Sequence, residues 1–246
     1  QTSVAGSNGY GVFAVNAAGA WTYTTDTAHN EFVAGTNYTD SFTVATADGT
    51  TQVVTVTIAG TNDAAVISGV ATASLTETDA ILSTGGALSA TDVDSSAAFV
   101  AQAAAAGSNG YGVFTVNAAG AWTYTTNTAH NEFVAGTNYT DSFTVATADG
   151  TTQVVTVTIA GTNDAAVISG VATASLTETN AILSTSGALS ATDVDSSAAF
   201  VAQTGVAGSN GYGVFAVNAA GAWTYTTNTA HNEFVAGTNY TDSFTV

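Results

Sequence analysis

The chain repeats itself every 101 residues without insertion or deletion, and that period limits what it can fold into. Trp21, Trp122 and Trp223 mark the phase, as do His29, His130 and His231. Seven positions differ between residues 1–101 and 102–202: Thr2, Ser3, Val4, Ala14, Asp26, Asp79 and Gly85 become Ala103, Ala104, Ala105, Thr115, Asn127, Asn180 and Ser186. A unit of this length is large enough to bury its own core. The expected domains are the C-terminal part of one repeat at 1–62, a complete repeat at 63–163 and the N-terminal part of a third at 164–246, together a window on a longer array. A catalytic site is seldom copied nearly unchanged along one chain, whereas a stalk, spacer or fibre is built that way. The period therefore argues for a structural protein and against an enzyme.

Charge narrows the choice further. The sequence has no Lys or Arg against eighteen Asp and Glu, a formal net charge of −18. Phosphate binding needs basic side chains, so nucleic acid is excluded as a partner and anionic membrane surfaces are disfavoured. Every carboxylate must find its counter-charge in solvent or in a bound cation. Without Cys there are no disulfides and no thiolate metal sites. No stretch approaches the ~18 consecutive apolar residues of a membrane span.

Short alternating runs of Thr, Val, Ile, Phe and Tyr indicate strands, with almost no helical periodicity. In 151–159 one face carries Val155, Val157 and Ile159, and in 142–145 Phe143 and Val145 share a side. The runs 111–117 and 121–125 flank Ala118-Ala119-Gly120, a hairpin with Gly where positive φ is needed. Ala148-Asp149-Gly150 marks a second tight turn, and further strands are expected at 166–171, 172–177 and 187–192. About seven short strands per repeat define an antiparallel β-sandwich. Its expected core is Phe114, Val116, Trp122, Tyr124, Phe143, Val145, Val155, Val157 and Ile159. The Ala- and Gly-rich stretch 92–110 reads as a loop or a weak strand.

Several motifs recur in fixed order. They are Ala-Gly-Thr-Asn-Asp-Ala-Ala-Val-Ile (59–67, 160–168), Leu-Thr-Glu-Thr (75–78, 176–179) and Leu-Ser-Ala-Thr-Asp-Val-Asp-Ser-Ser (88–96, 189–197). With the Tyr-Gly-Val-Phe…Ala-Trp-Thr-Tyr and Thr-Asp-Ser-Phe-Thr-Val segments, they resemble VCBS repeats, cadherin-like domains of giant bacterial surface adhesins, often of the RTX type. The resemblance covers essentially the whole chain. It implies a tandem array of Ig-like/cadherin-like sandwiches on the bacterial cell surface, an extracellular setting. That family usually has Pro where Ala65 and Ala166 stand.

The strand order that the resemblance implies sorts the acidic residues to the two ends of each domain. Asn62, Asp63, Asp92, Asp94 and Asp149 fall at one end. A junction with the next repeat gathers Glu77, Glu132, Asn163, Asp164, Asp193 and Asp195. Hard oxygen ligands without His or Cys suit Ca²⁺, which takes six to eight oxygens in flexible geometry. The expectation is calcium bridging neighbouring repeats and stiffening a stalk for adhesion or biofilm. Asp26 and Asp79 are set aside as ligands, because other copies carry Asn127, Asn228 and Asn180. His130 reads as a solvated loop residue, and the Asn-Tyr-Thr sequons at 37, 138 and 239 as chance matches. Two other readings stand beside the stalk. Identical chains pair or swap strands in a filament, or exposed aromatics (Tyr38, Tyr139, Tyr240 or the tryptophans) stack carbohydrate.

Overall fold

The computed structural model describes residues 1–246 as an all-β chain. With no helix, it has none long and apolar enough to cross a membrane. Eighteen strands follow in order: β1 (Val4–Ala5), β2 (Gly11–Val15), β3 (Trp21–Thr25), β4 (Asn37–Ala45), β5 (Thr51–Ala59), β6 (Val66–Gly69), β7 (Thr72–Thr76), β8 (Ser83–Thr91) and β9 (Gln102–Ala106). Then come β10 (Gly112–Val116), β11 (Ala121–Thr126), β12 (Asn138–Ala146), β13 (Thr152–Ala160), β14 (Val167–Gly170), β15 (Ser184–Thr192), β16 (Gln203–Ala207), β17 (Gly213–Val217) and β18 (Ala222–Thr227). Two compact units result. One comprises Gln1–Leu75, Ala80–Ala129 and Thr140–Ile159; the other comprises Thr76–Asp79, His130–Tyr139 and Ala160–Val246.

The complete repeat has eight strands, not seven, in two sheets. One, β6-β8-β11-β10-β9, is antiparallel throughout. In the other, β12-β13-β7, β7 runs parallel to β13 through Thr156 N→Ala71 O (2.9 Å) and Glu77 N→Ala160 O (2.8 Å). The eighth is β9, inside the Ala-rich stretch that patterning left open. It pairs with β10 across a register shift between Phe114 and Val116. Just before it, Phe99 bridges Thr147 of the opposite sheet, and Val100 N–H donates to Ala146 O at 2.8 Å. All nine expected core residues are buried, joined by Leu88 and Phe99. Phe114 and Phe143 stack between the sheets with centroids 4.4 Å apart.

Turn chemistry follows the sequence. Gly120 takes φ 86°. Asn117 Oδ1 accepts from the N–H groups of Ala119 and Ala121, both at 3.0 Å, closing the hairpin. Gly150 takes φ 91° beside Asp149. Both positions need the left-handed region that glycine enters without steric cost.

Pairing, not local sequence, decides two features. Residues 71–76 and 172–177 are identical, yet only the first forms a strand, β7, on β13. The chain holds no third copy of the β13 sequence, and residues 172–177 are neither strand nor buried. Trp122 is 1% exposed and Trp21 is 47% exposed, although both stand in the same local sequence. The difference is β8: Gly86 pairs with Trp122, and its missing side chain leaves room for the indole.

One set of buried polar groups was not read from the sequence. Asp141 has no exposed surface and sits on the inward parity of Phe143 and Val145. It accepts from Asn109 N (2.8 Å), Gly112 N (3.1 Å) and Tyr124 Oη (3.2 Å). Asp40 repeats this with Asn8 N, Tyr10 N and Tyr23 Oη, and Asp242 with Asn210 N, Tyr212 N, Gly213 N and Tyr225 Oη. Desolvation, followed by the bond to Asp40, pushes the Tyr23 hydroxyl up to about 12. In a chain without Lys or Arg, these carboxylates take their positive partners from backbone N–H dipoles.

A Cβ on Gly86 would lie 2.8 Å from the Trp122 ring. Gly86→Ala is therefore expected to lower stability by about 1–3 kcal/mol, the usual range for overpacking. Gly85→Ser would place its Cβ 2.5 Å from Trp122 O and needs a small backbone shift, which the third copy accommodates with Ser186, so its cost is expected to be smaller than that of Gly86→Ala. Equilibrium urea unfolding followed by tryptophan fluorescence distinguishes the two.

Candidate metal centre

The acidic residues fall into two groups, one in each compact unit. In the first unit they hold one another through loop hydrogen bonds. Asp63 N–H points at Asp94 Oδ1 (3.3 Å), and Asp94 N–H donates to Asp92 Oδ1 (3.0 Å). Ser95 caps Asp92 through N (2.7 Å) and Oγ (2.8 Å). Asn62 Nδ2 folds onto Asp63 O at 2.9 Å. Asp149 is already supplied with donors: Ala65 N (2.9 Å), Thr151 N (3.1 Å), Thr151 Oγ1 (2.6 Å) and Thr147 Oγ1. The Thr147 and Thr151 hydroxyls first, then Ala65 N–H, hold its carboxyl well below the usual range. Ala65, where the resemblance leads one to expect Pro, thus contributes an N–H that Pro lacks.

The second unit is different. Ligand oxygens of Glu77, Asp79 and Asp164 lie within 4.8 Å of one another. The 76–79 segment is tied to the 160–164 segment by Glu77 N→Ala160 O (2.8 Å) and by Thr162 Oγ1, which donates to both Glu77 O and its carboxylate. Asp164 N–H points at Asp195 Oδ1 (3.3 Å), and Asp193 caps that loop through Asp195 N (3.1 Å) and Ser196 N (2.7 Å). Asn131 Nδ2 donates to Asp79 Oδ1 at 3.2 Å. Asn163 Nδ2 turns back to Asp164 O (2.8 Å).

Four buried oxygens in this set meet no donor: Glu77 Oε1, Asn131 Oδ1, Asp164 Oδ2 and Asp195 Oδ2. Glu77 is 1% exposed and Asp195 9%. Buried polar atoms are normally hydrogen-bonded, and an unpaired carboxylate oxygen is expensive. All four are acceptors, three of them from carboxylates. That donor set fits a hard divalent cation, and it suits calcium better than magnesium, which keeps more of its own water.

Like charges also act on one another here. The Asp164 carboxyl is pushed up to about 6 from its ordinary 3.8, first by a hydrogen bond with Asp79 that needs a shared proton. Desolvation and the charges of Asp79, Glu77 and Asp195 add to the shift. In the first unit Asp94 is raised as well, by desolvation before the nearby Asp92 and Asp63.

The structure thus draws together Glu77, Asp164 and Asp195 from the expected junction, with Asp193 behind them as a loop cap. It adds Asp79, which comparison of the copies had set aside; Asn180 is its counterpart. Asn131 was not foreseen either. Glu132 lies elsewhere, with Oε1 2.8 Å from His130 Nδ1. His130 itself is buried and not solvated, at φ 63° and stacked on Phe133. Of the aromatics a carbohydrate platform needs, Trp122 and Trp223 are buried and Tyr139 stacks on Phe133 at 3.8 Å, whereas Trp21 and Tyr240 are exposed.

Two packed sheets closed by Gly-marked hairpins, with acidic loops at a repeat boundary, define the class: an all-β sandwich. Residues 62–161 match the bacterial cadherin-like domain. Among solved structures, the chain is similar to the protocadherin gamma B4 extracellular domain, at 14% identity and TM-score 0.44, covering 89% of this chain and 36% of that one. It is similar to protocadherin gamma B7 cadherin domains 1–4 at 13% identity and TM-score 0.41, covering 89% and 56%. For the human desmocollin-1 ectodomain the values are 14%, 0.30, 92% and 44%. The chain therefore spans well under two thirds of the length of these structures. No curated protein sequence matches it.

An acid whose folded pKa is raised binds its proton more tightly when folded. In chelator, Asp164 is expected to favour the folded state below pH 3.8 and to lose that contribution as pH rises towards about 6. Carboxyl-carbon NMR titration should place its midpoint near 6, and Asp79→Asn should return it towards 3.8.

Proposed function

We propose that this chain is part of an extracellular adhesion-type repeat protein in which calcium at repeat boundaries stiffens a stalk on the bacterial cell surface. The observation that carries this reading is the cluster of Glu77, Asp79 and Asp164 oxygens within 4.8 Å of one another, drawn from two successive sequence repeats. Donorless buried oxygens lie on Glu77 and Asp164 and on the neighbouring Asn131 and Asp195. Near-identical tandem copies and the lack of any Lys or Arg support it, as does the bacterial cadherin-like match of residues 62–161. Glu77, Asp79, Asn131, Asp164 and Asp195 would hold the ion. Bound there, the ion supplies the positive charge that Lys or Arg would supply in an ordinary chain. Glu77, anchored through Thr162 and Ala160, would fix the end of one repeat. Asp164 and Asp195 would fix the start of the next. VCBS and RTX-adhesin membership, and a role in biofilm, belong to this same proposal.

A ligand bound only by the folded state adds about 2.7 kcal/mol of stability at one hundred times its Kd. Thermal unfolding of the 246-residue chain should therefore shift upward with calcium and fall back in chelator. Glu77→Gln combined with Asp195→Asn should remove most of that shift while leaving the melt in chelator nearly unchanged or higher. Small-angle scattering on the same samples should show a stiffer particle with calcium. A calcium-indifferent melt would sink the proposal.

A further inference from the structure

Every copy buries a histidine in a Thr-Ala-His-Asn-Glu loop, and at His29 and His231 the surroundings of both ring nitrogens are defined. His29 Nδ1 lies 2.8 Å from Glu31 Oε1 and 3.3 Å from Thr27 Oγ1. Its Nε2 lies 2.7 Å from Tyr10 O and 2.9 Å from Asp26 Oδ1. His231 repeats the clamp, with Nδ1 2.7 Å from Glu233 Oε1 and Nε2 2.7 Å from Tyr212 O. Each ring stacks on a phenylalanine at an interplanar angle of 8°, Phe32 or Phe234, and meets the edge of Tyr10 or Tyr212 at 5.5 Å.

A neutral imidazole has one N–H and one lone pair. A main-chain carbonyl can only accept, and so can an ionised carboxylate. With either nitrogen deprotonated, a lone pair would face an oxygen at under 3 Å. The doubly protonated ring alone satisfies both sides. The backbone at both residues is left-handed, φ 53°, a strained conformation for a side-chain-bearing residue. The ring contacts help hold the loop there.

We propose that His29 and His231 are imidazolium ions, the internal counter-cations of a chain without Lys or Arg, and that each closes a pH-sensitive clasp between its loop and the Tyr10 or Tyr212 main chain. The charged and titratable groups facing His29 are Glu31, Asp26, Tyr10 and, beyond Phe32, Tyr38. Those facing His231 are Glu233, Asp242, Tyr212 and, beyond Phe234, Tyr240. The bond to the glutamate, then the one to the tyrosine carbonyl, raises each histidine above 6.5 despite desolvation. Glu31 and Glu233 are correspondingly lowered by their histidines. A raised histidine pKa stabilises the fold fully below its unfolded value, and that contribution disappears as pH rises through the folded midpoint. The clasp therefore loosens on the alkaline side. Asn228 replaces Asp26 at His231, so His29, with the extra carboxylate, holds its proton to higher pH. His130 adjoins Asn131 of the acidic centre and lies outside this proposal.

The test is long-range ¹H–¹⁵N correlation NMR of the histidine-labelled full chain in chelator, titrated from acid to alkaline pH. The His29 and His231 signals, assigned with His29→Gln and His231→Gln, should show both nitrogens protonated at neutral pH, with midpoints above 6.5. Glu31→Gln and Glu233→Gln should each lower only the matching midpoint, by about one pH unit. These two variants also assign the signals if the histidine variants do not fold. The thermal midpoint of the wild-type chain should drop as pH passes the histidine midpoints. Neutral rings at pH 7, midpoints unmoved by the glutamate variants, or a melt flat across that interval would overturn the proposal.

Discussion

Carboxylates buried without a basic side chain are the constraint on which the rest of this structure depends. Lys and Arg normally satisfy such groups, and here neither exists. Asp40, Asp141 and Asp242 are satisfied instead by converging main-chain N–H groups and a tyrosine hydroxyl, each drawing the turn at 7–10, 108–111 or 209–212 onto its sheet. Gly6, Gly107 and Gly208 stand where any Cβ would collide with those carboxylates. One electrostatic requirement thus fixes a strand position, a turn and a glycine together. It reappears in the same form in each copy.

The acidic centre is the place where that solution stops. At Asp149 and Asp193, local hydroxyl and N–H donors saturate the carboxylates, and both are held ionised below the ordinary range. At Glu77, Asp164 and Asp195, one oxygen each is left without a donor. Acidic residues of similar sequence surroundings therefore do different jobs. Some staple loops, while others present oxygens inward. Electrostatic repulsion among the second kind is the cost of a binding-competent arrangement, visible in the raised Asp164.

Much of the fold was legible because strand alternation is a strong signal. Phe114 through Ile159 fell inward as their parity required, and the Asn117–Gly120 and Asp149-Gly150 turns formed where the residues demand positive φ. The strand β9 was obscured because a run of alanines at a sheet edge carries no alternation, and its pairing slips by a shift. Residues 172–177 could not be read from themselves, since the same six residues are a strand at β7. Asp141 did carry a signal, a charge on the inward parity of β12, which alternation alone could have flagged. Around the metal centre, resemblance placed Glu77, Asp164 and Asp195. Comparing copies set Asp79 aside, because Asn180 is its counterpart, yet Asp79 stands in the acidic cluster with Glu77 and Asp164. Glu132 and His130 were separated from their expected roles by two residues of loop that bring them to each other.

The identity of the copies has a kinetic side. Each sandwich closes late, because Glu77 meets Thr162 across 85 residues and β7 waits for β13. Contacts this far apart in sequence make folding slow. During that interval the β7 segment meets two equally good partners, β5 and β13, spelled alike. Local sequence offers no discrimination among them, so correct partnering falls to order of synthesis and chain connectivity. Near-identical repeats thereby leave the chain vulnerable to mispairing while it is being made.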